Sequence, residues 1–165
     1  MKKTIEKLQL LLAESSVFRQ NLYSHHWNIL GPKFFFMHTQ LGEMYDGVGE
    51  DIDMYAERIL ALGGTPEHKF SEYLKVSAIE ESPILVECGQ IEADTLDSLK
   101  KTHVRLYECI RAAEEEDDQG TIDMIGSKIA CIEKTIWMWS AQQSIKVGGG
   151  SATNPKSKPK IDIVP

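Results

Sequence analysis

Six large apolar residues, Ile122, Ile125, Ile129, Ile132, Ile136 and Trp139, recur at spacings of 3, 4, 3, 4 and 3. That alternation draws one apolar stripe along a helix and leaves the rest of its surface polar. Such a helix is stable in water only when the stripe is buried against other helices. The chain supplies those partners. Ile5, Leu8, Leu12, Phe18, Leu22 and Ile29 mark one side of a helix predicted over residues 4–28, which Gly31-Pro32 ends. A second helix is predicted over 33–62, stopping at Gly63-Gly64-Thr65-Pro66. A third runs over 82–113, with Ser82 as its N-cap and Pro83 in its first turn. The striped helix is the fourth, over 121–147, and no stretch reads convincingly as a strand.

The connections set the topology. Residues 65–82 separate the second helix from the third, long enough to travel from one end of a bundle to the other, and Phe70, Tyr73, Leu74 and Val76 mark a short helix within them. The other two links are short: Gly31-Pro32, and the acidic turn from Glu114 to Gly120. One crossover and two tight turns predict an all-α fold, an antiparallel four-helix bundle of ferritin-like topology over residues 1–147. Gly148-Gly149-Gly150-Ser151 opens a tail over 148–165, rich in Gly, Pro, Ser and Lys and too poor in apolar residues to fold alone.

Composition narrows the function. A net charge of −7 argues against a general nucleic-acid binder. No apolar run approaches the ~20 residues that a membrane span needs. The stretch from Met1 to Lys7 carries no signal-peptide core, so a cytoplasmic protein is expected. Cys88, Cys109 and Cys131 form no Cys-x-x-Cys pair and are expected to be reduced, buried thiols.

Two imidazoles and two carboxylates carry metal chemistry. His26 and His38 lie twelve residues apart, and Asp53 and Glu57 follow at i, i+4. Mixed imidazole and carboxylate ligands suit iron, provided they converge. A ferritin-type centre inside one bundle uses Glu-x-x-His motifs. None exists here: Leu22, Tyr23, Phe35, Thr65 and Lys100 stand three residues before the five histidines. His38 and Asp53 point to nearly the same side of one helix but lie ~22 Å apart along it. Either each end of that helix holds half a site, or a second copy lies antiparallel to it about a two-fold axis near Asp46 and Gly47. In the second case, His38 of one chain meets Asp53 and Glu57 of the other. Gly42, Gly47 and Gly49 either let two backbones approach closely or merely weaken the helix.

The run His-Trp-Asn-x-x-Gly-x-x-Phe-Phe-x-x-His, then Met-Tyr-Asp, then Asp53-x-x-x-Ala56-Glu57-Arg58-Ile59 and Leu62-Gly63-Gly64, closely resembles the Dps family (DNA-binding proteins from starved cells). The fourth helix ends similarly, in Ile136-Trp137-Met138. The resemblance implies a hollow homododecamer with ferroxidase centres at dimer interfaces. In such a shell His26 and His38 of one subunit and Asp53 and Glu57 of its neighbour hold the iron. On the chemistry of the side chains, Glu57 is expected to bridge and Asp53 either to bind iron or to orient a partner histidine. It further implies an oxidoreductase that oxidises Fe(II) to Fe(III), usually with hydrogen peroxide. The ferric product is stored in the cavity, protecting against oxidative stress. Asp118 and Asp123 look like the acidic residues of the pores through which iron enters such shells.

One position departs from the pattern: where the family usually carries an Asp for a second iron, this chain has Gly42, with Glu43 on a different face. Trp27 is expected to pack against the site or fill an interface. His25 and His68 are expected at the surface or an interface, and His103 has no partner of suitable spacing. The alternative function is architectural DNA condensation through Lys2, Lys3 and Lys7 at the front and Lys156, Lys158 and Lys160 in the tail.

Overall fold

The computed structural model describes residues 1–143, so the expected tail over 148–165, with Lys156, Lys158 and Lys160, lies outside the described residues. The elements are α1 (Lys2–Asn28), α2 (Phe34–Ala61), α3 (Phe70–Val76), α4 (Cys88–Glu115) and α5 (Gln119–Gln143). Helices α1, α2, α4 and α5 make the all-α bundle, and α3 rides in the crossover as the sequence predicts. No helix among the described residues is long and apolar enough to cross a membrane.

Helix α1 is the hub, packed on α2, α4 and α3. Leu8, Leu11, Leu12 and Leu22 are fully buried along it and meet Leu41, Tyr55 and Ile59 of α2 and Ile91 and Leu106 of α4 in one core. Helix α5 contributes Ile125, Ile129, Ile136 and Trp139 to that core, while Ile122 and Ile132 are half-buried. A groove of about 420 Å³ runs between α2 and α5, walled by Met44, Val48, Tyr55, Ile132 and Trp139. Asp51 and Lys128 form an ion pair there. Burial pushes the Asp51 carboxyl up from its ordinary range, and Lys128 opposes that shift.

The turns follow the sequence signals. Gly31 (φ 104°) and Gly63 (φ 81°) stand just past α1 and α2 in the left-handed region, which suits glycine. The start of the third long helix differs from expectation. Ser82 does not cap it: its N–H donates to Asn21 Oδ1 at 3.0 Å and its hydroxyl to Asp94 Oδ2 at 2.5 Å. These bonds tie the crossover to α1 and α4, and the chain stays non-helical until Cys88. On the way, the Leu30 N–H donates to the Val86 carbonyl at 2.9 Å. The thiols also differ: Cys109 is buried, Cys88 half-buried and Cys131 exposed.

Candidate metal centre

The turn after α1 folds α2 back against it and brings His26 face to face with His38, ring centroids 3.6 Å apart and planes 20° from parallel. Each ring is anchored by the other's backbone. His26 Nδ1 lies 2.7 Å from the His38 carbonyl oxygen, and His38 Nδ1 lies 2.9 Å from that of His26. A carbonyl oxygen only accepts, so each Nδ1 carries a proton and Nε2 is the nitrogen left for another partner. Fixing a ring through one nitrogen while leaving the other basic is how proteins prepare a histidine for a metal. Phe34 stacks on His38 at 5.0 Å, and the Tyr45 ring meets His26 edge-on at 5.2 Å. Both can be found from helical spacing, since Phe34 lies four residues before His38 and Tyr45 seven after it. Both also lie in the run that carries the Dps resemblance, Phe34 in Phe-Phe-x-x-His and Tyr45 in Met-Tyr-Asp.

Asp53 and Glu57 sit one turn apart near the other end of α2, exposed and facing solvent. Along the helix axis they are ~22 Å or more from His38. The structure therefore unites the two histidines and unites the two carboxylates, but keeps the pairs apart within one chain. Among the described residues, no group of three or more His, Cys, Asp or Glu is gathered as a metal cage.

A model of the ferritin-like domain family matches residues 5–145. The DNA protection during starvation protein of Porphyromonas gingivalis is 39% identical over 137 residues, which cover 83% of this chain and 86% of that protein. A second such protein, from Bacillus anthracis, is 33% identical over 144 residues, covering 85% and 96%. The crystal structure of the Dps protein from Vibrio cholerae superposes with a TM-score of 0.84 at 33% identity, covering 86% of this chain and 89% of that one. The chain belongs to the Dps family of ferritin-like proteins.

Within the single chain, the three glycines of α2 have different surroundings. Gly49 is already covered by its own chain, since a Cβ there would stand 2.9 Å from the Arg19 guanidinium carbon. Arg19 in turn donates from Nε to the Tyr45 carbonyl at 3.1 Å and lies over the Tyr23 ring. Gly47 lines the groove toward α5. Gly42 lies beside His26, where a Cβ would meet Cε1 at 3.5 Å. Glu43 is exposed, accepts from Gln40 Nε2 at 3.0 Å and lines the α5 groove, away from the histidines.

Asp118 is a helix cap in this chain. It is buried and accepts from the Thr121 N–H at 3.2 Å, from the Thr121 hydroxyl and from Arg58. Burial alone would raise its carboxyl, but these donors hold it below the ordinary carboxylate range. Asp123 is exposed and accepts from Gln119 Nε2 at 2.7 Å. Only Asp123 of the pair offers an outward carboxylate.

His25 is buried, contrary to expectation, and its Nε2 donates to Asp94 Oδ2 at 2.8 Å. That bond, with a smaller contribution from Ser82, holds the Asp94 carboxyl below its ordinary value. His103 is also buried, 3.2 Å through Nε2 from Glu133 Oε1, which also accepts from the Tyr107 hydroxyl at 3.1 Å. His68 is exposed as expected. Trp27 reaches the histidine pair through a chain of rings. It stacks on Tyr23 at 5.5 Å, Tyr23 meets Tyr45 at 4.5 Å, and Tyr45 meets His26.

Proposed function

We propose that this protein captures and oxidises Fe(II) in pockets shared between two copies of the chain. In each pocket His26 and His38 come from one subunit and Asp53 and Glu57 from the other. The observation that carries this reading is the crossed anchoring of the two imidazoles through Nδ1, which leaves both Nε2 atoms for another partner, while among the described residues no group of three or more metal-ligating side chains is gathered. A two-fold pairing of α2 with its copy supplies the missing carboxylates, and each pair of subunits then holds two equivalent pockets. Exposed aromatic surface beside the histidines, with Trp27 64% and Phe35 84% accessible in the single chain, supports such a contact.

The ligand set fits iron as substrate. Imidazole and carboxylate bind Fe(II) and leave positions open for an oxidant, and carboxylate charge favours the ferric product. With hydrogen peroxide as oxidant, two Fe(II) give up one electron each, and peroxide takes both with two protons to become two waters. The Vibrio cholerae neighbour is a member of the ferritin-like diiron-carboxylate proteins, which supports iron for this chain as well. Storage of the ferric product inside a closed homododecamer, with protection from oxidative stress, completes the proposal. Asp123 is its candidate for the pore through which iron enters.

The DNA-condensing alternative draws less support from the front lysines. Lys3 pairs with Glu115 at 2.7 Å and Lys7 with Glu108 at 2.8 Å, so both are partly neutralised by their own chain.

Replacing His26 and His38 together by alanine is expected to abolish peroxide-driven Fe(II) oxidation, followed by the absorbance of the ferric product, with assembly mass unchanged. Rapid oxidation retained by that variant would contradict the proposal.

A further inference from the structure

The groove between α2 and α5 takes no part in the proposed iron site, since none of His26, His38, Asp53 and Glu57 lines it. Helix α2 packs on α1 and α5 packs on α4, whereas α2 and α5 barely touch each other. A Cβ on Gly47 would meet no atom within 4 Å, so the space beside it is open. At about 420 Å³ the groove matches sites that hold small organic molecules. Lys128 and Trp139 both line it from α5, so it extends about 16 Å along that helix.

Its two ends differ in chemistry. Met44, Val48, Ile132 and Trp139 make one stretch apolar. At the other end Asp51 pairs with Lys128, and Tyr55 lies one helical turn beyond Asp51. Burial, with a smaller push from Asp51, raises the Tyr55 phenol, so its hydroxyl stays protonated. Three carboxylates line the groove, Glu43, Glu50 and Asp51, against the one cation Lys128 among its lining residues. Asp51 already matches Lys128, while Glu43 and Glu50 form no ion pair among the described residues. An apolar channel with two unmatched carboxylates suits a cation that carries an apolar body.

We propose that this groove binds an amphipathic organic cation, an ammonium on an extended apolar chain. The chain lies along Met44, Val48, Ile132 and Trp139, and water leaves their surfaces as it enters. The ammonium has three N–H donors, and the acceptors at its end are the Glu50 and Asp51 carboxylates and the Tyr55 hydroxyl oxygen. A carboxylate head group would meet only Lys128, which Asp51 already neutralises, and Glu43 and Glu50 would repel it.

Calorimetric titration of the assembled, iron-free protein at low ionic strength tests this with n-octylammonium, n-butylammonium and octanoate. Octylammonium is expected to bind about once per chain, at least about tenfold tighter than octanoate. It should also bind at least about tenfold tighter than butylammonium, which has four fewer methylenes to bury. Gly47→Leu fills the open space and should weaken octylammonium at least about tenfold, with assembly mass and helix content unchanged. Glu50→Gln removes one carboxylate without altering the shape and should narrow the preference for octylammonium over octanoate. Octanoate binding as tightly as octylammonium, no gain from the longer chain, or full binding retained by Gly47→Leu of normal mass would each overturn the inference. Fe(II) oxidation is not part of the readout, so the shared iron pocket stands or falls separately.

Discussion

His26 and His38 owe their orientation to backbone carbonyls, so their readiness for metal is built into the way α2 folds back on α1 and needs no neighbouring side chain. Loss of a residue that merely supports a metal ligand costs about 10–100-fold in affinity or activity. His38→Ala, which removes a proposed ligand, is expected to slow Fe(II) oxidation at least that much in a stopped-flow assay. Arg58 is a residue of the opposite kind, structural and not chemical. Its guanidinium lies across Gly120 and pairs with buried Asp118. Removing one partner of a buried pair leaves an uncompensated charge, so Arg58→Ala is expected to lose about 3 kcal/mol in urea unfolding. Some residue roles were legible in the sequence and others were not. The metal-ligating types announce themselves. The burial of His25 was hidden, because its partner Asp94 stands 69 residues away along the chain.

At the scale of elements, periodicity located the four long helices, since each buries an apolar face that repeats every three or four residues, whereas short α3 buries only Tyr73. Boundaries set by distant contacts were harder to see. Ser82-Pro83 is a good local start signal, but Asn21 and Asp94 recruit Ser82 for the crossover, and the helix begins at Cys88. The start of α1 is likewise finished by another helix. The carboxylate of Glu116, just past α4, accepts from the Lys3 N–H at 3.0 Å, the Thr4 N–H at 3.1 Å and the Thr4 hydroxyl at 2.7 Å. Partial burial would raise this carboxyl, but the donors and the α-amino group overcome that and hold it at about 2. A carboxyl depressed in the folded state stabilises the fold fully above its ordinary value of ~4.3, and loses that contribution as pH falls toward the folded value. The melting temperature is therefore expected to drop between roughly pH 4.5 and 2. Glu116→Gln should melt lower at pH 6 and show a shallower acid decline; an unchanged acid profile would count against the cap.

For the whole molecule, the single chain is a finished fold in which the proposed site is incomplete. Both halves of that proposed site stand out in the sequence, but the contact proposed to join them belongs to a second copy, and one chain holds only the separated parts. The exposed aromatic surface around Trp27 and Phe35 is where that copy is expected to sit. Phe35→Glu places a charge in it and is expected to lower both the assembly mass in light scattering and the rate of Fe(II) oxidation, while helix content by circular dichroism stays the same.

Subunit complementation tests the shared pocket most directly. One variant lacks His26 and His38, the other lacks Asp53 and Glu57, and neither should oxidise Fe(II) alone. Co-refolded in equal amounts, about half of the two-fold pairs contain one of each, and each such pair regains one intact pocket of its two. The mixture should therefore recover about a quarter of wild-type activity. Mixed assemblies of normal mass that stay inactive would show that the four ligands do not meet across a subunit contact.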